Sequence, residues 1–335
     1  MNKTALAVVG PTASGKSALA LSLAEKFGGE IVSCDSMQVY RGMDIGTAKP
    51  SAGERRRIPH HMIDILDPAE PYSAADYGDE AARVAEEIFS RGRLPIFCGG
   101  TGLYLSAALT GRHDDAPPSD PALRAELTER GNTETGRREL YEELLRVDPA
   151  SATATHPNNL RRVVRALEIY RLTGTPKSVL DEKSRERALR FDCLILGIDF
   201  PERGELYRRI DRRVDEMMAA GLYGEAKTLW ERGVLAPGTT AGQAIGYRQF
   251  LPCFTGDLTP DEAAEEIKTA TRRYAKRQLT WFRAQPGIVW LNGGSPDLIR
   301  EASDLVSARL NYNQRSKFVG GQENHNERKR TDSET

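Results

Sequence analysis

The chain has 335 residues, of which 39% are hydrophobic, and a formal net charge of −1. This length allows two or three domains, or one large domain with an insertion, and the charge argues against a broad electrostatic attraction for nucleic acid. No apolar run reaches transmembrane length, and the four cysteines lie far apart in the sequence. We therefore expect a cytoplasmic protein with free thiols, without a signal peptide and without membrane contact.

The first motif lies between an apolar run at residues 5–9 and a helical pattern that continues to Phe27. Strand, glycine-rich turn and helix in this order, with the spacing G-x-x-x-x-G-K-S, predict a phosphate-binding loop. Its residues are Gly10, Pro11, Thr12, Ala13, Ser14, Gly15, Lys16 and Ser17. The glycines let backbone N–H groups turn towards a phosphate, and the helix N-terminus adds partial positive charge. We expect Lys16 to reach the outer phosphates and Ser17 to hold Mg²⁺.

Further apolar runs alternate with helical patterns along the chain. Strands are predicted at 30–34, 93–98, 193–198 and 288–291, and a helix at 74–91. This alternation predicts an α/β fold in which a parallel sheet carries helices on both faces. Three predicted strands end in the phosphate loop, in Asp35-Ser36 and in Gly99-Gly100-Thr101. Because ligands bind at the carboxyl ends of parallel strands, these residues are expected to share one cleft.

A long excursion separates the third predicted strand from the fourth. After a turn-rich start it shows helical patterns at 121–131, 136–147 and 158–173, and no strand pattern. We predict an all-helical insertion at 112–190 within an α/β core formed by 1–111 and 191–310. Later amphipathic helices are predicted at 204–233 and 260–283, and a disordered tail at 311–335. The pair His60-His61 is expected on the surface or in a loop.

The sequence offers few signs of nucleotide hydrolysis. A hydrolytic P-loop enzyme needs a strand that ends in a Mg²⁺-binding Asp, usually with a catalytic acid beside it. The candidates are Asp35 and Asp199, and neither is followed by Glu. Two interpretations remain, a small-molecule kinase and a transferase in which the loop holds a diphosphate leaving group.

A set of longer motifs distinguishes these interpretations. Besides the loop, they are Asp35-Ser36-Met37-Gln38-Val39-Tyr40 and the segments 46–50, 59–64, 99–104, 159–168, 244–249 and 276–283. Together they resemble the tRNA dimethylallyltransferases, and the resemblance covers residues 4 to about 292. No cysteine follows residue 292, so the zinc finger of the eukaryotic branch is absent and the chain resembles the bacterial type.

The resemblance implies a P-loop nucleotide-kinase-like fold and a specific reaction. A dimethylallyl group passes from dimethylallyl diphosphate to N6 of the adenosine at tRNA position 37, and diphosphate leaves with the help of Mg²⁺. The tRNAs are those that read codons beginning with U, bound through the anticodon stem-loop. We expect the enzyme to act as a monomer.

The reaction assigns roles to a few residues. Adenine N6 is a weak nucleophile that must lose a proton, and Asp35 is expected to be the base, with a role as an indirect Mg²⁺ ligand as the alternative. Thr101 is expected either to donate a hydrogen bond to a phosphate oxygen or to help orient Asp35. The resemblance implies that an arginine of 204–233 reaches the diphosphate. Of Arg209 and Arg213, which share a helix face, we assign Arg209.

The resemblance also implies a set of tRNA contacts. They are Asp35, Ser36, Met37, Gln38, Thr101, Asn159, Leu160, Arg161, Arg162, Val163, Arg165, Gly246, Tyr247, Arg248 and Gln249. The arginines of 159–165 suit backbone phosphates, and Tyr247 and Arg248 suit stacking on or pairing with bases. The basic face of 260–283 either follows phosphates or is an ordinary surface.

Three other functions remain as alternatives. A free-nucleotide isopentenyltransferase shares the loop and the aspartate at the strand end, but it does not need the arginine-rich insertion. A small-molecule kinase would transfer a γ-phosphate from ATP. A non-catalytic nucleotide switch ranks last, because no segment resembles a switch region.

Overall fold

The computed structural model describes residues 3–111, 117, 119–185, 189–236 and 239–311. It confirms the predicted α/β fold. The strands are β1 (Thr4–Val9), β2 (Gly29–Ser33), β3 (His60–His61), β4 (Leu94–Gly99), β5 (Asp192–Asp199) and β6 (Ile288–Asn292). The helices are α1 (Lys16–Phe27), α2 (Ala52–Arg57), α3 (Ala74–Ser90), α4 (Gly102–Thr110), α5 (Pro121–Arg130), α6 (Glu134–Val147), α7 (Pro149–Thr153), α8 (Leu160–Thr173), α9 (Lys177–Arg185), α10 (Arg203–Ala219), α11 (Leu222–Glu231), α12 (Leu251–Thr255) and α13 (Pro260–Arg283). A last helix covers 298–311.

All pairings in the sheet are parallel, and its order is β3-β2-β4-β1-β5-β6. The strands that precede the phosphate loop, Asp35 and the Gly99 turn are therefore neighbours, in the order β2-β4-β1. Their carboxyl ends meet at one edge, as the shared cleft requires.

The loop alternative for His60-His61 was wrong, because the two residues form the edge strand β3 beside Ile31 and Val32, where both are partly exposed. A strand of two residues is too short to show an alternating pattern in the sequence.

One compact unit contains the sheet and comprises Met1–Ser73, Glu80–Leu105 and Phe191–Thr335. Its core joins the buried faces of the central strands to apolar residues of α1, α10 and α13, such as Leu23, Ile210 and Leu279. A stripe of apolar residues at helical spacing explains why these helices pack on the sheet. Helix α13 begins where predicted, because Thr259 and Glu262 form a capping box and Pro260 takes the first helical position.

The predicted single helix at 204–233 is two helices in the structure. Helix α10 ends at Ala219, and α11 begins after Gly221, whose φ is 98°. A positive φ in the left-handed region interrupts the helical hydrogen-bond ladder, and glycine adopts it without strain. The apolar pattern continues across this break, so periodicity alone did not reveal it.

The second compact unit comprises Ala74–Asp79 and Ser106–Arg190. The helices predicted at 121–131, 136–147 and 158–173 are confirmed as α5, α6 and α8, while α7 and α9 were not predicted. Leucines of α5 and α6 and valines of α8 form its core. The carboxylate of Glu168 on α8 is fully buried in this unit and is paired with Arg124 and Arg165, at 2.7 Å each. The tail predicted at 311–335 lies outside the described residues, apart from Asn311, which is helical.

Candidate active site

The phosphate loop lies between β1 and α1, as its sequence predicts. Gly15, at the start of α1, has a φ of 89°, and Gly10 lies against β5 so closely that a Cβ would be 3.0 Å from the Ile198 carbonyl oxygen. The Lys16 ammonium donates to the Pro11 carbonyl at 3.3 Å. Burial lowers the pKa of Lys16, and the neighbouring guanidinium of Arg213 acts in the same direction, while Asp35 opposes it. The loop thus presents a cation and the N-terminus of a helix at the edge of the sheet.

Asp35 follows β2 and lines the same cavity as the loop. Its Oδ1 accepts a hydrogen bond from the backbone N–H of Met37 at 2.9 Å, which fixes the turn that carries it. The Asp35 carboxylate is close enough to Lys16 and Arg213 to favour the charged form of each. The Asp35 carboxylate and the cations of Lys16 and Arg213 therefore line the same cavity.

Thr101 contacts the aspartate segment. Its Oγ1 accepts a hydrogen bond from the Ser36 N–H at 3.2 Å, and its own N–H donates to the Cys34 carbonyl at 3.1 Å. Gly99 permits this close approach, because a Cβ there would lie 2.1 Å from the same carbonyl oxygen. Of the two roles predicted for Thr101, these contacts favour the orientation of Asp35.

Two residues of α13 belong to the site but were missed in the sequence. Gln278 is buried; its Oε1 accepts from the Thr12 N–H at 2.9 Å, and its Nε2 donates to the Gly100 carbonyl at 3.0 Å. Tyr274 lines the cavity near Thr101 and Gln278. Burial raises the pKa of Tyr274 to about 12, and the nearby Asp35 charge adds to the shift. Gln278 thus joins the phosphate loop to the turn that holds the aspartate segment.

The assignment of Arg209 to the diphosphate needs correction. Its guanidinium lies over the Phe200 ring, 5.2 Å from the centroid, and is not part of the cavity wall. Arg213, one helical turn further along α10, lines the cavity instead. Burial lowers the pKa of Arg213, and the neighbouring Asp35 partly offsets this effect. The two arginines share a helix face, but of the two only Arg213 lines the cavity.

The motif at 244–249 contacts the cavity with only some of its members. Gly246 and Arg248 line it. Tyr247 is fully buried, so it does not offer its ring to RNA bases, and the stacking role predicted for it was wrong. Gln249 is also buried, and its Oε1 accepts the Gly246 N–H at 3.0 Å.

The motif at 159–165 opens α8, in the second unit. Asn159 caps the helix by accepting the Arg162 N–H at 3.3 Å, while Val163 is buried in the core. Arg165 is engaged by Glu168, so it is not free for an RNA phosphate as predicted. Arg161 and Arg162 are exposed. Among the contacts of the described residues neither forms an ion pair, and these two remain suited to phosphates.

The basic face of α13 is partly neutralised. Arg272 pairs with Asp211 of α10, with its Nη1 2.6 Å from the carboxylate, and Arg283 pairs with Asp199. Arg277 lines the cavity beside Tyr274, 5.5 Å from its ring centroid. Arg272 and Arg283 therefore fasten α13 to the core, while Arg273 and Lys276 are exposed and form no ion pair among the described residues.

The cavity has a volume of about 640 Å³. The phosphate loop, Asp35 to Gln38 and Arg213 form a polar wall, and Leu21, Ile63, Val214, Met217 and Ile267 supply apolar surface. Such a cavity accommodates a ligand with an anionic head and an apolar body. No group of three or more metal-ligating side chains occurs among the residues that the structure covers. Within that same part of the chain, each helix is too short or too polar to cross a bilayer.

The sequence matches known proteins over most of its length. The IPP transferase family model matches residues 38–285, and the isopentenyl transferase model matches 3–62. A tRNA dimethylallyltransferase 1 of Pelobacter propionicus is 50% identical over 286 residues, which are 85% of this chain and 91% of that relative. A tRNA dimethylallyltransferase of Geobacillus kaustophilus is 47% identical over 307 residues, 90% and 96% of the two chains.

Two solved structures are also similar. The tRNA isopentenylpyrophosphate transferase of Bacillus halodurans has 41% sequence identity and a TM-score of 0.68, covering 94% of this chain and 99% of that one. A eukaryotic dimethylallyltransferase, described as acting on tRNA, has 34% identity and a TM-score of 0.72, covering 87% and 74%.

Proposed function

Because this chain belongs to the IPP transferase family, we propose that it transfers the dimethylallyl group of dimethylallyl diphosphate to N6 of an adenosine in tRNA. The adenosine is the one at tRNA position 37, in tRNAs that read codons beginning with U. The main support is the cavity that a phosphate loop, a carboxylate and a half-buried arginine line together. A kinase needs a phosphate acceptor beside this loop, whereas an apolar wall suits a prenyl group.

The diphosphate lies against the loop, where backbone N–H groups, Lys16 and Arg213 face it. Negative charge grows on this group as its bond to carbon breaks, and positioned cations stabilise that charge. Ser17 lines the cavity and offers a hydroxyl, an oxygen donor of the kind that Mg²⁺ prefers. Mg²⁺ held there would supply further charge neutralisation for the diphosphate.

The transfer is a substitution at C1 of the dimethylallyl group. A bond forms between N6 and C1 while the bond from C1 to the diphosphate oxygen breaks, and the N6 proton passes to the Asp35 carboxylate. The turn that holds Asp35 is fixed by Met37 and Thr101, so the base is oriented before substrate arrives. Diphosphate then leaves with its charge balanced by Lys16 and Arg213.

The target adenine must leave the anticodon-loop stack to enter the cavity. Arg248 at the cavity wall, and Arg161 and Arg162 on α8, supply exposed cations for the RNA backbone. The enzyme acts in the cytoplasm as a monomer.

Incubation of the protein with Mg²⁺, labelled dimethylallyl diphosphate and an unmodified anticodon stem-loop tests the proposal. Label should enter the RNA, and nuclease digestion should place it at position 37. A matched stem-loop with guanosine at that position should stay unlabelled. Equal labelling of both RNAs would contradict the assignment of the acceptor.

A further inference from the structure

A carboxylate of α11 holds the loop that follows Met43. The side chain of Glu225 accepts three consecutive backbone N–H groups, from Asp44 at 3.0 Å, Ile45 at 2.9 Å and Gly46 at 3.1 Å. Consecutive N–H groups that converge in this way form a binding site for an anion. Here the anion belongs to the protein itself, so the loop conformation depends on a residue about 180 positions away in the sequence.

Tyr247 completes this arrangement from a third segment. Its hydroxyl donates to Glu225 Oε1 at 2.7 Å, and its ring lies where a Cβ on Gly46 would be, 2.5 Å from that position. The ring is fully buried, and burial together with the Glu225 charge raises the pKa of Tyr247, so it remains a neutral donor. The motifs at 46–50 and 244–249 are thereby packed against each other.

The held loop forms part of the cavity wall. Residues 46–50 line it, and Gln38 donates from Nε2 to the Thr47 carbonyl at 3.1 Å. Gln38 also accepts the hydroxyl of Ser33 at 2.8 Å, so it links the loop to the segment that carries Asp35. A shift of the loop at 44–50 would therefore also displace Gln38 and the cavity wall next to Asp35.

This wall is not built for phosphate. Its lysine, Lys49, is 2% exposed and is paired with Asp44 at 2.7 Å and with Asp64. A cation committed to two carboxylates has little charge left for a further anion. What the wall offers is an uncharged surface of backbone groups and of the internally hydrogen-bonded side chains of Gln38 and Thr47, which suits a neutral nucleobase better than an anion.

We propose that Glu225 and Tyr247 are positioning residues for the nucleoside acceptor: they hold the loop at 44–50 as the wall against which the adenosine is placed. The inference rests on the function proposed above. It gives Tyr247, a member of the motif at 244–249, a role although its ring is buried. It also predicts that substitutions of Glu225 or Tyr247 affect the KM for RNA and not the KM for dimethylallyl diphosphate, since the diphosphate lies against other residues.

The test compares E225Q and Y247F with the wild type and with E231Q. Glu231 is an exposed residue of the same helix, and its carboxylate lies 4.0 Å from the Lys227 ammonium, so it controls for charge removal. Initial rates are measured with the stem-loop and dimethylallyl diphosphate varied in turn, together with thermal unfolding. We expect E225Q to raise the KM for RNA by about 10-fold or more, since small displacements of positioning groups are costly. The KM for dimethylallyl diphosphate should stay within about twofold of the wild type.

Y247F removes one hydroxyl and keeps the ring, so it tests the inference even if E225Q fails to fold. Its KM for RNA should rise by roughly 10-fold or more, as expected for the loss of one hydrogen bond to a charged group. Equal effects on both KM values, or an unfolding defect with unchanged kinetics, would overturn the inference. A wild type that fails to modify the stem-loop would contradict the proposed function instead.

Discussion

Replacement of Gln278 by methionine tests whether α13 aligns the two halves of the site. The Gln278 side chain, 6% exposed, bridges the Thr12 N–H of the phosphate loop and the Gly100 carbonyl of the neighbouring turn. Methionine has a similar length and volume but can make neither hydrogen bond. The variant therefore removes the bridge with little change in packing.

The size of the effect follows from the two groups left behind. A buried backbone group without a partner costs about 1–3 kcal/mol. Thr12 lines the cavity, where water can reach its N–H, so most of the cost falls on the Gly100 carbonyl. We expect the free energy of unfolding to drop by about 2 kcal/mol. If the loop and the turn separate by an ångström, kcat/KM should fall by about 100-fold.

The assay measures initial rates of stem-loop prenylation beside thermal unfolding, well below the melting temperature of every variant. Gln285→Met is the matched control, because among the described residues the Gln285 side chain hydrogen-bonds only the Trp281 carbonyl, at the long distance of 3.5 Å. It should retain wild-type rates. Unchanged kinetics in the folded Gln278→Met protein would refute the alignment role.

Three further substitutions separate the roles assigned to the site. Asp35→Asn keeps the volume but removes the base, so turnover should fall by about 10²–10⁴-fold while tRNA affinity in filter binding stays nearly the same; a matching loss of affinity would indicate a binding role instead. Arg213→Lys should raise the KM for dimethylallyl diphosphate far more than Arg209→Lys, because only Arg213 lines the cavity, and the reverse order would restore the original assignment. Replacing Arg161 and Arg162 together with alanine should weaken tRNA binding and flatten its salt dependence. Unchanged tRNA affinity at every salt concentration would show that Arg161 and Arg162 of α8 do not contact the RNA.

The parts of the site that lie within one local motif were predictable. The phosphate loop and Asp35 each follow a strand directly, and parallel pairing alone brings their strands to a common edge. Helix α13 was predicted with its observed bounds, because its capping residues are adjacent in the sequence.

The parts that depend on distant contacts were not predictable. Gln278 acts on a residue 266 positions earlier, and in the sequence it is one polar residue of an amphipathic helix. Arg209 and Arg213 lie on the same face of α10, and periodicity does not tell which one reaches the edge of the sheet. Tyr247 has the residue type expected of a base-stacking side chain, yet Gly46 provides the space that buries its ring.

The most direct test of the central claim is mass spectrometry of nucleosides from bulk unmodified tRNA. The tRNA is first incubated with the protein, Mg²⁺ and dimethylallyl diphosphate, with AMP present as a competing acceptor. The site described above predicts N6-(dimethylallyl)adenosine from tRNA and no prenylated AMP. Prenylated AMP with unmodified tRNA would contradict the claim and would place the enzyme among those that modify free nucleotides.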